Sequence, residues 1–103
     1  MTNDDYQPVT ESLPGFRWDS EEAVAYEAAI EAINGAVGAY SALIEDEEAK
    51  GAPDQARLAS LLAAQGRCAR ARETLDPADH ARVAETRRRF AELARQVSEG
   101  HDR

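Results

Sequence analysis

The sequence is poorest in the residues from which reactive sites are built. One cysteine, Cys68, and two histidines, His80 and His101, stand among 103 residues. A lone cysteine excludes an intrachain disulfide. Neither histidine lies in an H-x-x-x-H or E-x-x-H pattern, so no histidine-based metal site is expected. The six glycines are scattered, and no glycine-rich phosphate loop exists. No stretch approaches the ~18 consecutive apolar residues of a membrane span. The first residues are acidic and lack the basic and apolar regions of a secretory leader, so a cytoplasmic location is expected. Lysine is nearly missing: Lys50 is the only one, and every other basic side chain is arginine.

Basic residues are also short overall, twelve against twenty acids, for a net charge of −8. That balance argues against general affinity for nucleic acid, which needs Lys and Arg to displace counterions, and against an anionic membrane surface. The imbalance is local. Residues 1–50 carry twelve acids against Arg17 and Lys50, a net −10; residues 51–103 carry eight against ten arginines, a net +2. Mutual neutralisation across packed helices is the plain expectation.

What the chain has in quantity is alanine and helical periodicity. Between Ser20 and Glu48 the large apolar residues Tyr26, Ile30, Ile33, Val37, Tyr40 and Ile44 recur in steps of 4, 3, 4, 3 and 4. That is a heptad seam and not the alternation of a strand. Asn34-Gly35 and Gly38 weaken the middle, each glycine costing about 1 kcal/mol against alanine. The seam keeps its register through both glycines, which predicts one continuous helix over 20–48. Ahead of it, residues 1–18 read as a flexible tail with a Pro14-Gly15 turn, and Phe16 and Trp18 as a lid on one end of the core. Asp19, with Glu22 three residues on, forms a capping box at the helix start.

A second helix is expected over 53–74, opened by Pro53 and facing inward with Leu58, Leu61, Leu62, Cys68, Ala69 and Leu75. A third is expected over 77–98, capped by Asp76 and facing inward with Val83, Thr86, Phe90, Leu93 and Val97. Gly100 ends it, and residues 100–103 form a tail. Glu85 and Arg89 have the i, i+4 spacing of a helix-stabilising pair. The domain therefore occupies 19–99. Its fold class is all-α: a three-helix up-down-up bundle or helical hairpin with a long first helix.

Two surfaces stand out as candidates for recognition. On the first helix Ala25, Ala28, Ala32, Gly35, Ala39 and Ala42 form a stripe of small residues at heptad spacing, able to let another helix approach closely. With Glu45 and Glu48 of the acidic helix end, it makes a candidate seam for a protein partner or a second copy. Alanine merely tolerated on a helix surface is the competing account. Glu45 to Glu48 oppose the helix dipole, so that end is expected to fray unless a cation lies nearby. The other surface is basic: Arg67, Arg70, Arg82, Arg87, Arg88 and Arg89 on the second and third helices. Pairing with the acidic first helix is its competing account.

Catalytic constellations are weak. Cys68 has Arg67, Arg70 and Arg72 near it in sequence to lower its pKa, but it lies in an inward stripe, where an inert core thiol is the ordinary role. Glu27 with Glu31, and Glu45 with Glu48, supply carboxylate pairs. All-helical nucleotide pyrophosphohydrolases hold Mg²⁺ with E-x-x-E and a second acidic pair, and no matching E-x-x-D follows here. Leu58 to Gly66 loosely looks like the first half of a helix-turn-helix, but Arg72 stands where that motif needs an apolar residue.

The block Leu13-Pro14-Gly15-Phe16-Arg17-Trp18-Asp19, running into Ala23-Val24-Ala25-Tyr26-Glu27, resembles small uncharacterised helical proteins of actinobacteria, accessory products of mobile or conjugative elements. The resemblance covers residues 13–45, brings no catalytic residues, and implies an accessory or regulatory role. Taken together, these features point to a non-enzymatic helical interaction module without cofactor or metal. The alternative is a nucleic-acid-associated regulator working through the arginine patch.

Overall fold

A computed structural model of the chain describes residues 14–100, with side chains from Ser20 onward. The described residues form three helices and no strand: α1 (Pro14–Glu48), α2 (Gln55–Thr74) and α3 (His80–Ser98). The chain is all-α, as the heptad seams require. Helix α1 runs unbroken through Asn34-Gly35 and Gly38. It begins at Pro14 and not near Ser20, so Asp19 lies inside the helix and does not cap it. Proline fits a first helical turn, where its missing N–H has no intrahelical partner to lose. Pro14 to Trp18, expected in a tail over 1–18 with a Pro14-Gly15 turn, stand in α1; the rest of that tail, residues 1–13, and the side chains of the expected lid, Phe16 and Trp18, lie outside what the structure describes.

Helix α2 runs antiparallel to α1. Its first turn meets the end of α1 through Arg57 and Glu47, 3.7 Å apart. In mid-helix the Gln65 Nε2 donates to the Val37 carbonyl at 2.9 Å and to Ser41 Oγ at 2.8 Å. At its far end Arg72 donates to Asn34 Oδ1. Helix α3 runs parallel to α1, from the His80–Glu22 contact at 2.8 Å to the level of Gly35 and Ala94. Its contact with α1 is the more extensive of the two.

Both shorter helices start later than the sequence signals imply. Pro53 does not open α2; Asp54 caps it, its Oδ1 accepting the Arg57 N–H at 3.1 Å. Asp76 does not cap α3. It closes a turn, with Oδ1 accepting the Ala78 N–H at 2.9 Å and its carbonyl accepting the Asp79 N–H at 3.0 Å. Asp79 then caps α3, accepting from the Arg82 N–H at 3.1 Å. Either aspartate is a competent cap, but the chain must reverse between α2 and α3, and the first is consumed in doing so. Gly100 ends α3 at φ +89°, a left-handed conformation suited to glycine, and donates to the Val97 carbonyl at 2.9 Å.

The main core joins Ile33, Ala36, Tyr40 and Ile44 of α1 to Leu61, Ala64 and Cys68 of α2 and Val97 of α3. A second cluster at the other end joins Ala29, Leu75 and Val83. Ile33, at the centre, has no solvent exposure. Two helices pack on α1, so its buried face is wider than one heptad seam and takes in Ala29 and Ala36 as well. Leu62, expected inward, is 53% exposed. It lies one residue beyond the face that Leu61, Gln65 and Cys68 turn to α1. No helix among the described residues is long and apolar enough to cross a membrane.

Candidate functional site

The decisive geometric fact concerns α2 and α3. Each packs along α1, yet no Cα of α2 lies within 8 Å of a Cα of α3. A trough of about 590 Å³ runs between them. Tyr40 of α1 lies on its floor, and Cys68 and Ala71 of α2 and Phe90 and Leu93 of α3 form its apolar lower walls. Arg67 rises from α2, and Arg82 and Arg89 from α3. The connecting turn closes one end with Asp76 and Asp79, whose carboxylates are engaged in the turn and the cap.

The helical spacing puts these groups in place. Arg82, Thr86, Arg89 and Leu93 follow one another at steps of 4, 3 and 4, one stripe of α3. Arg67 lies eight residues before Leu75, and Arg89 nine after His80. At 1.5 Å per residue both stand about 13 Å from the connecting turn, at matching heights on opposite walls. Thr86 is only 5% exposed, and its hydroxyl makes no hydrogen bond among the described residues. A buried hydroxyl without a partner is costly, and this one lines the trough.

The basic patch is thus split. Arg67, Arg82 and Arg89 line the trough; Arg70, Arg87 and Arg88 do not. Pairing with the acidic α1, the account that would have neutralised the patch, is not seen among the described residues. Arg88 pairs with Glu85 on its own helix, in place of the expected Glu85–Arg89 pair. The Arg89 guanidinium lies over the Phe90 ring, 5.9 Å from its centroid. Arg67, Arg70, Arg82 and Arg87 have no carboxylate partner among the described residues. Burial pushes the Cys68 thiol pKa up, outweighing the opposing pull of Arg67. The thiol is held protonated, which makes it a poor nucleophile.

The small-residue stripe of α1 is divided as well. Gly35 faces α3, a Cβ built there lying in ordinary contact with the Ala94 Cβ at 3.8 Å. Ala39 packs on the main core, and Ala28 and Ala32 are half-buried. Ala25 and Ala42 are exposed, as are Glu45 and Glu48.

The residue that sequence reasoning missed in the acidic end is Glu47. It is 3% exposed. It accepts from Lys50 Nζ at 2.8 Å and from the Asp54 N–H at 2.8 Å, with Arg57 beside it. The Lys50 hydrogen bond, then the Asp54 N–H, hold its carboxyl below the usual glutamate range. One carboxylate thus clasps the end of α1, the connection and the first turn of α2. The available signal was its heptad position, three residues beyond Ile44. Among the described residues no three His, Cys, Asp or Glu side chains converge as metal ligands.

Set beside protein-family models, curated proteins and solved structures, the chain matches none.

Proposed function

We propose that this chain is a non-enzymatic, cytoplasmic interaction module that receives a helix of a protein partner between α2 and α3. One observation carries the reading: two helices share a third as their support without meeting each other, and a trough lies open between them among the described residues. A fourth helix laid there completes a four-helix arrangement and covers Phe90 and Leu93, which are half-buried among the described residues. An accessory or regulatory role, as the resemblance implies, fits a protein whose activity is to hold another.

The test fills the trough from within. Ala71 lines it, and Ala71→Trp places a large ring where the partner helix would lie. A partner captured by the wild-type chain and lost with this variant, while far-ultraviolet circular dichroism stays helical, supports the reading. Equal capture by both defeats it.

Arg67, Arg70, Arg82 and Arg87, without a carboxylate partner among the described residues, favour a second reading, a nucleic-acid-associated regulator. It requires binding to duplex or single-stranded probes that falls steeply with salt and is lost on changing Arg87, Arg88 and Arg89 to Ala. No binding at low salt removes it.

A further inference from the structure

Resting on the reading of the trough as a helix seat, we infer that its occupant is an acidic amphipathic helix of a different protein, about three turns long. The apolar face of that helix lies on Tyr40, Phe90 and Leu93, and its carboxylates meet Arg67 on one wall and Arg89 on the other.

Length comes first. The lining residues span Ala64 to Thr74 on α2 and Arg82 to Leu93 on α3, about 15 to 17 Å at the helical rise. That is the length of ten or eleven helical residues.

Charge sets the sign. This protein carries −8 overall, yet Arg67 and Arg89 at the trough have no carboxylate partner among the described residues, although α1 is rich in acids. An occupant with flanking carboxylates supplies that partner on both walls at the same height. The acids of the trough lie at its other end, in the turn, where Asp76 and Asp79 are already engaged. Carboxylates therefore belong in the part of the occupant far from the turn.

Thr86 adds an independent observation. Its buried hydroxyl, unpartnered among the described residues, lies between Arg82 and Arg89 on the trough wall, and a polar side chain from the occupant would satisfy it.

A second copy of this chain does not fit the seat. The trough floor belongs to the buried face of α1. The acidic face bearing Glu27 and Glu31 is exposed and turned the other way. A copy docking by that face would leave its own trough open, and the contact would propagate without closing.

The experiment uses the full chain and three labelled peptides of about 14 residues, helical, with the same leucine face and flanks of Glu, Gln or Lys. Binding is read by fluorescence anisotropy at low and high salt. The Glu peptide is expected to bind at least tenfold more tightly than the Lys peptide at low salt. That advantage should shrink at high salt and fall about tenfold in the Arg67→Gln/Arg89→Gln variant, whose surface changes leave the core intact. Equal binding of the Glu and Gln peptides overturns the acidic assignment and leaves the helix seat standing. No binding by any peptide overturns both. Concentration-dependent growth in mass by light scattering, without peptide, overturns the choice of a different protein over a second copy.

Discussion

Replacing Thr86 by valine should act in opposite directions on the free protein and on the proposed complex. The two side chains are nearly isosteric and both β-branched, so helix propensity barely moves. Thr86 is 5% exposed and its hydroxyl has no partner among the described residues. Burying an unpaired hydroxyl costs about 1–3 kcal/mol. Valine removes that cost and buries a methyl group in its place, so Thr86→Val should stabilise the isolated chain by about 1–2 kcal/mol. For a domain of this size that raises Tm by about 4–8 °C per kcal/mol. Urea unfolding should show a higher midpoint with an unchanged slope. The complex should respond in the opposite direction. If the occupant bonds this hydroxyl, the variant loses a net hydrogen bond of about 0.5–1.5 kcal/mol, roughly a two- to tenfold loss of affinity. A midpoint that stays put or falls would show that the hydroxyl is already satisfied, and would refute the reasoning about a polar group held in reserve.

Other changes test the frame around the trough. Glu47 has a folded pKa below the ordinary glutamate value. Its contribution is therefore present above about pH 4.3, the unfolded value, and lost as pH falls through the lower folded one. Glu47→Gln should flatten the pH dependence of the urea midpoint in that acid window, and an unchanged profile would show that the clasp contributes nothing. Gly38 has open space around a built Cβ and helical backbone, so Gly38→Ala should stabilise by about 1 kcal/mol; Gly100→Ala, forced to φ +89°, should destabilise by a similar amount. Ile33→Ala, at the fully buried centre, should cost about 2–5 kcal/mol, whereas Val24→Ala, at a residue 67% exposed, should stay within about 0.5 kcal/mol; both are read from denaturant midpoints.

The heptad arithmetic made the helices legible, because large side chains at steps of 3 and 4 allow only one regular backbone. Continuity through Gly35 and Gly38 followed from the unbroken register. Helix starts were harder. Asp19, Asp54, Asp76 and Asp79 are all chemically able to cap, and nothing local says which one the chain's reversal will consume. Ala29 and Ala36 were passed over because alanine carries little hydrophobic signal, yet only a small side chain fits where two neighbours crowd one helix. Leu62 carried a strong signal and faces water, since the packed face of α2 keeps to Leu61, Gln65 and Cys68. The trough was not legible at all. Periodicity reports which residues of a helix turn inward, not whether two helices that share a support also reach each other. The arginines were visible as a cluster, but only coordinates distinguish those on the walls from those outside them.

A clamp whose jaws are fastened separately to one spine need not break any joint between the jaws in order to change its span. Adjusting the span here strains mainly the five-residue turn and the layers each jaw shares with the spine. If a partner helix is seated there as proposed, guests of different girth would fit the same three rods, the shape of the guest setting the width.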